Sequence, residues 1–158
     1  AYNRHFLERY RNDFEQKTST SENSTAVMMI DIDHFKAIND QLGHAVGDDV
    51  LRAVSQRLQG QLRQRDAGVF IRWGGEEFVL LVPVRTPEEG SLVAERLRAS
   101  IAHRPIRVAA EQTISVTISL GATFYRTGEG VTEDTIPRAD TALYRAKQGG
   151  RNRCEWSQ

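Results

Sequence analysis

The run Ala26-Val-Met-Met-Ile-Asp-Ile-Asp33 constrains this chain more than any other segment. An apolar run this short and dense has no side to turn to water, so it predicts a strand buried on both faces of a sheet. It ends in two carboxylates, Asp31 and Asp33. Acids at the end of a core strand are expensive unless something cationic meets them. A second acidic pair, Glu76-Glu77, follows Gly74-Gly75 between the apolar runs VFIRW and EEFVLLVPV. A Gly-Gly pair in that setting predicts a two-residue hairpin turn with left-handed φ at both glycines. Mg²⁺ takes a few carboxylate oxygens, a backbone carbonyl, water and substrate phosphates, and two acids from separate strand ends could hold it. The competing expectation is that these acids cap helices or face solvent.

The remaining elements follow from periodicity. Residues 2–16 place Phe6, Leu7, Tyr10 and Phe14 at helical spacing, and 17–25 form a polar loop. A short helix is expected over 34–41 and a longer one over 46–62, with Val50, Leu51, Val54 and Leu58 on one face. Thr86-Pro87-Glu88-Glu89 carries an N-cap, a proline at the first position and a glutamate three after the cap, which predicts a helix to about Ala102. Residues 113–125 read as one long central strand. Ile136, Ala139, Leu143 and Ala146 mark the stripe of a last helix, and 152–157 close as an edge strand. This order implies a mixed β-sheet flanked by helices, an α/β (α+β) sandwich.

A chain of 158 residues, 39% hydrophobic, is expected to be a single domain over 1–158. Because it opens with a helical pattern already under way, it reads as excised from a longer protein. Lys+Arg and Asp+Glu are 21 each. That balance argues against a nucleic-acid-coating or anionic-membrane surface. The single cysteine, Cys154, fits a reducing, cytoplasmic setting, and no apolar run approaches a membrane span.

Gly74-Gly75-Glu76-Glu77-Phe78 resembles the GGDEF/GGEEF signature of diguanylate cyclases. Three further blocks accompany it. Asp31-Ile-Asp-His-Phe-Lys36 with Ile38-Asn39-Asp40, Gly43-His44 and Gly47-Asp48 resembles the family's D-x-D-x-F-K-x-x-N-D-x-x-G-H-x-x-G-D block. Ser119-x-Gly121 resembles its central strand, and Ala139-Asp140-x-Ala142-Leu143-Tyr144-x-Ala146-Lys147 with Gly150-Arg151-Asn152 its last helix. The resemblance implies a palm-like fold, shared with polymerases and class III nucleotide cyclases, and the Mg²⁺-dependent condensation of two GTP into cyclic di-GMP.

Residue by residue, the resemblance implies that Asp31, the Ile32 carbonyl, Glu76 and Glu77 hold Mg²⁺ (or Mn²⁺). Glu76, or a metal-bound hydroxide, would help deprotonate the attacking 3′-hydroxyl. Backbone N–H groups of His34, Phe35 and Lys36 would cradle phosphate, and Lys36, Lys147 and Arg151 would neutralise it. Asn39 and Asp48 would read guanine, whose N1–H and exocyclic amine form a donor pair that adenine lacks. Catalysis would need a homodimer, each copy holding one GTP, with no nucleic acid or membrane as partner.

Two departures stand out. Only Asn3-Arg4 remains of the family's usual opening D-x-L-T-G-L-x-N-R. The family's R-x-x-D product-inhibition site would place its Asp at Gly68 and its Arg at Arg65. The R-x-x-D actually spelled, Arg63 to Asp66, lies two residues upstream, a displacement of roughly 6.5–7 Å on an extended strand. Cyclic di-GMP is therefore expected at the active half-site. The alternative to an enzyme is a GTP- or cyclic di-GMP-binding receptor without turnover, but Asp31, Glu76 and Glu77 all stand. Asp48 argues against a different nucleotide.

Overall fold

The computed structural model describes residues 2–3, 24–65, 68–109 and 111–157. In chain order the elements are β1 (Tyr2–Asn3), β2 (Ser24–Ile32), α1 (Phe35–Leu42), α2 (His44–Arg65), β3 (Val69–Arg72) and β4 (Glu77–Val84). Then come α3 (Pro87–Ala102), β5 (Ile106–Val108), β6 (Gln112–Ile114), β7 (Ile118–Phe124), α4 (Ile136–Gln148) and β8 (Cys154–Trp156). Six strands form one mixed sheet in the order β1-β3-β4-β2-β7-β8, with β5 and β6 paired separately. Strand β2 is antiparallel to both neighbours, whereas the flanking strands β1 and β8 run parallel to theirs.

The apolar run is buried from Thr25 to Ile32, and strand alternation sorts it between two layers. Ala26, Met28, Ile30 and Ile32 join Val50, Val54 and Leu58 of α2 and Val93, Leu97 and Ile101 of α3. Val27 and Met29 face the other way, onto Ile136, Ala139 and Leu143 of α4. Asp31 continues this second, α4-facing row. Its register partners Glu77 on β4 and Ser119 on β7 lie on the same face. Gly121, two residues along β7, lets α4 approach: a Cβ there would lie 2.0 Å from Leu143 N and 2.2 Å from Ala139 O.

Helix α3 starts as its sequence predicts. Thr86 Oγ1 accepts from Glu89 N–H at 3.1 Å, and Glu89 Oε2 accepts from Arg85 N–H at 2.9 Å. Such a cap stabilises a helix by about 1 kcal/mol. Helix α4 buries the expected stripe. No helix among the described residues is long and apolar enough to cross a membrane. Cys154 lies on a flanking strand, where burial foremost, then Glu155 and Glu95, push its thiol up to about 12.

Four expectations are corrected. Tyr2 and Asn3 of the expected 2–16 helix form a strand beside Ile71 and Arg72, and residues 4–16 lie outside the described residues. Ser24 and Thr25 belong to β2, because Val84 and Pro83 of β4 stand opposite them; residues 17–23 lie outside the described residues. The single strand over 113–125 is two strands, separated at 115–117, where Thr117 gives its carbonyl to Asp33 N–H and its hydroxyl to the Asp33 carboxylate. Its first part turns back onto β5, which the sequence did not announce. The β3–β4 hairpin exists, but its connection spans 73–76 and neither glycine takes a left-handed φ. Instead Trp73 and Gly74 N–H both converge on the Glu77 carbonyl, at 3.0 and 3.2 Å.

Candidate active site

The acids gather at one end of the sheet. Asp31 is 8% exposed at the C-terminal end of β2, and Glu77 opposite it is half-buried. Glu76 precedes β4, tied by its carbonyl to Ile32 N–H at 3.4 Å. Lys147, in the last turn of α4, ion-pairs with Asp31 Oδ2. Burial pushes the Asp31 carboxyl up; the Lys147 bond and charge oppose this, while Glu76 and Asp33 add like-charge repulsion. Burial likewise raises Glu77, with Asp31 and Asp140 adding to it.

Asp31 Oδ1 is buried and has no hydrogen-bond partner. A buried carboxylate oxygen left orphaned calls for an ion or a water. The donors here are hard oxygens on neighbouring strand ends, which suit Mg²⁺. Among the described residues no three acidic, histidine or cysteine side chains close into a ready cage. A cation that keeps waters and substrate phosphates in its shell does not require one.

Asp33 behaves differently. It is 5% exposed, and its two oxygens accept from Ser119 Oγ and Thr117 Oγ1, both at 2.6 Å, and from Asn152 N–H at 3.0 Å. A carboxylate so satisfied is a structural anchor.

Beyond Asp33 the chain turns into α1 through His34, which takes a left-handed φ of 58° as the N-cap. His34 and Lys36 are exposed and Phe35 is half-buried. The first N–H groups of a helix have no intrahelical acceptor, which leaves this turn suited to phosphate. Asn39 is half-buried against Gly47, where a Cβ would lie 1.8 Å from Asn39 Oδ1. The glycine makes room for the carboxamide directly before Asp48. Asp48 is exposed and lines a cavity of about 310 Å³ with Leu51, Arg52, Ser55 and Arg72.

Arg72 escaped the sequence reading. It ends β3, lines the Asp48 cavity, and donates to Gly75 O at 2.9 Å and more weakly to Gly74 O at 3.4 Å. It thereby joins the signature loop to the Asp48 cavity. Its position two residues before Gly74 was the only available signal.

Arg151 takes a left-handed φ of 65°, and its N–H donates to Ala146 O at 3.0 Å. That bond returns the loop after α4 to within a turn of Lys147. Asn152 follows with a φ of 50°, and such non-glycine residues store about 1–3 kcal/mol each.

The structure corrects the geometry of the inhibitory motif. Arg63 and Arg65 lie in the last turn of α2, not on an extended strand. On a helix two positions differ by about 200° around the axis, so the two-residue shift changes face. Their side chains, and Asp66 altogether, lie outside the described residues. Gly68 is crowded: a Cβ there would lie 3.1 Å from both Leu62 Cδ2 and Leu81 O. An in-register aspartate would have to push these neighbours aside by a few tenths of an ångström.

Comparison with known proteins agrees with this arrangement. Residues 1–153 match the family described as diguanylate cyclase, GGDEF domain. The diguanylate cyclase DgcP of Pseudomonas aeruginosa is 47% identical over 127 residues, covering 80% of this chain and 18% of DgcP. The chain spans less than half the length of the curated relatives it matches. The GGDEF domain of YfiN (TpbB) from P. aeruginosa is 33% identical with a TM-score of 0.87, covering 99% of this chain and 96% of that one. The active GGEEF domain of a diguanylate cyclase from Vibrio cholerae is 30% identical with a TM-score of 0.84, covering 100% and 97%. With the family match running over residues 1–153 and these relatives 30–47% identical, the chain belongs to the GGDEF family.

Proposed function

We propose that this domain condenses two GTP into cyclic di-GMP, each of two copies presenting one GTP across a two-fold axis. The observation that carries the proposal is the orphaned Asp31 Oδ1 beside Lys147, at a sheet end shared with the signature loop. Asp31, the Ile32 carbonyl, Glu76 and Glu77 would hold Mg²⁺, or Mn²⁺, which when bound neutralises phosphate charge. Asp48 and Asn39 accept from the guanine edge, with Arg72 closing the base side. The α1 start at His34, Phe35 and Lys36, together with Lys147 and Arg151, holds the triphosphate. Glu76 takes the proton of the 3′-hydroxyl. That oxygen bonds to the partner nucleotide's α-phosphorus as the α–β phosphoanhydride bond breaks and pyrophosphate leaves. The same exchange in the other direction closes the ring.

The product carries the same guanine and phosphate groups, so it should compete with GTP at this half-site and bind there weakly. This segment works in the cytoplasm, with neither nucleic acid nor membrane engaged by it.

The test is to incubate the domain at high concentration with GTP and Mg²⁺ and identify the product by mass. Cyclic di-GMP is expected from the wild type and none from Glu76→Ala, with unchanged circular dichroism. Nucleotide binding without any product in the wild type would instead establish a receptor.

A further inference from the structure

The loop between α4 and β8 holds two consecutive non-glycine residues in the left-handed region, Arg151 and Asn152. Asparagine tolerates that conformation; arginine, whose Cβ crowds the following carbonyl, has no such advantage. A strained pair persists only where its surroundings over-determine it. Here the surroundings hold Asn152 at both ends. Its N–H donates to Asp33 Oδ2 at 3.0 Å, and its side-chain oxygen accepts from Arg98 Nη1 at 2.7 Å.

Both grips are themselves fixed. Asp33 is buried and tied by Ser119 and Thr117 to β7 and the segment before it. The Arg98 side chain is 15% exposed, and its guanidinium engages both Glu95 oxygens, at 2.5 and 2.9 Å. Arg98 projects from α3, which packs on the opposite face of the sheet from α4 and Asp31. It has no place among the groups that would touch nucleotide, yet it holds the residue next to one of them.

We infer that Asp33 and Arg98 are positioning residues for phosphate binding: by gripping Asn152 from two sides they hold the left-handed pair that presents Arg151 to the triphosphate. The inference rests on the proposed role of Arg151. It gives α3 a mechanical connection to the phosphate end of the site, through a side chain that nothing in the signature motifs marks. A loop freed from one grip relaxes toward ordinary φ values, and Arg151 loses its aim while Lys147, anchored on α4, keeps its own.

The test measures calorimetric binding of 3′-deoxy-GTP with Mg²⁺, which lacks the attacking hydroxyl and cannot turn over, and of guanosine as the phosphate-free control. Arg151→Ala should weaken 3′-deoxy-GTP about tenfold or more, and Arg98→Ala about threefold to tenfold, as displaced charge-assisted contacts do. Guanosine affinity should not change in either. In an Arg151→Ala background, Arg98→Ala should have no further effect, the signature of action through that residue. Asn152→Ala should reproduce Arg98→Ala, and serves beside Asp33→Asn should the latter fail to fold. An unchanged affinity in Arg151→Ala would remove Arg151 from the phosphate site and the inference with it. A clear loss in Arg151→Ala with none in Arg98→Ala and Asn152→Ala would overturn the positioning role alone. So would an Arg98→Ala loss that persists in the Arg151→Ala background or extends to guanosine.

Discussion

Asp31 is where folding and binding pull against each other. Its folded carboxyl is held above the ordinary 3.8, by burial first, so its charge weakens the fold once pH rises past that value. Asp31→Asn should therefore raise Tm, the relief from burying the charge outweighing the lost Lys147 pair. Millimolar Mg²⁺ should raise Tm in the wild type and not in the variant. A variant less stable than wild type, or equally responsive to Mg²⁺, would contradict the assignment. Asp48 poses the question of selectivity. Its replacement by alanine should narrow the GTP-over-ATP affinity ratio by about 1–3 kcal/mol, since guanine's donors lose their acceptor. An unchanged ratio would show that Asp48 does not read the base. Asp31 was legible because it ends an apolar strand run, whereas Asp48 was reached only through the resemblance of its motif block. Arg98 was not, for its partner Asn152 stands 54 positions away and only the folded chain brings them together.

Among the elements, the connection from β7 to α4 holds a charge network outside the site. Arg138 donates to Glu129 through both terminal nitrogens, at 3.0 and 2.7 Å, and also reaches Thr123 Oγ1 and Phe124 O. Burial works against the Glu129 charge, but Arg138, the Arg126 N–H and the Thr135 hydroxyl together lower its carboxyl from 4.5 to about 2. A depressed carboxylate contributes stability that is present above about pH 4.5 and lost as pH falls through about 2. Glu129→Gln should cost roughly 2–3 kcal/mol at neutral pH, with the gap to wild type closing across that window in urea titrations. A gap that stays constant from pH 6 to pH 2 would deny the linkage. Helix α3 was legible from its cap and α4 from its apolar stripe, because both signals are local. The break at 115–117 was not: the residues on either side have strand character, and Thr117 is bound by Asp33 from the end of the neighbouring strand, a contact only the folded chain supplies. The hairpin loop misled for the opposite reason, since its glycines promised a turn type that the convergence on the Glu77 carbonyl does not use.

For the molecule as a whole, the proposed chemistry is incomplete in one copy. Each domain would present one GTP, so specific activity should rise with protein concentration and fall on dilution. Fusion to a leucine-zipper coiled coil should restore activity by raising effective concentration. Constant specific activity across a hundredfold dilution would refute the two-copy requirement. Such a molecule must meet its own kind often without adhering to it. Among the described residues the flanks of its sheet are short, two residues in β1 and three in β8. A long bare flank is a template on which further chains stack into fibres, and a short one offers too little to hold. Copies built this way would be able to collide, part and collide again, so the crowding that would make them reactive need not make them precipitate.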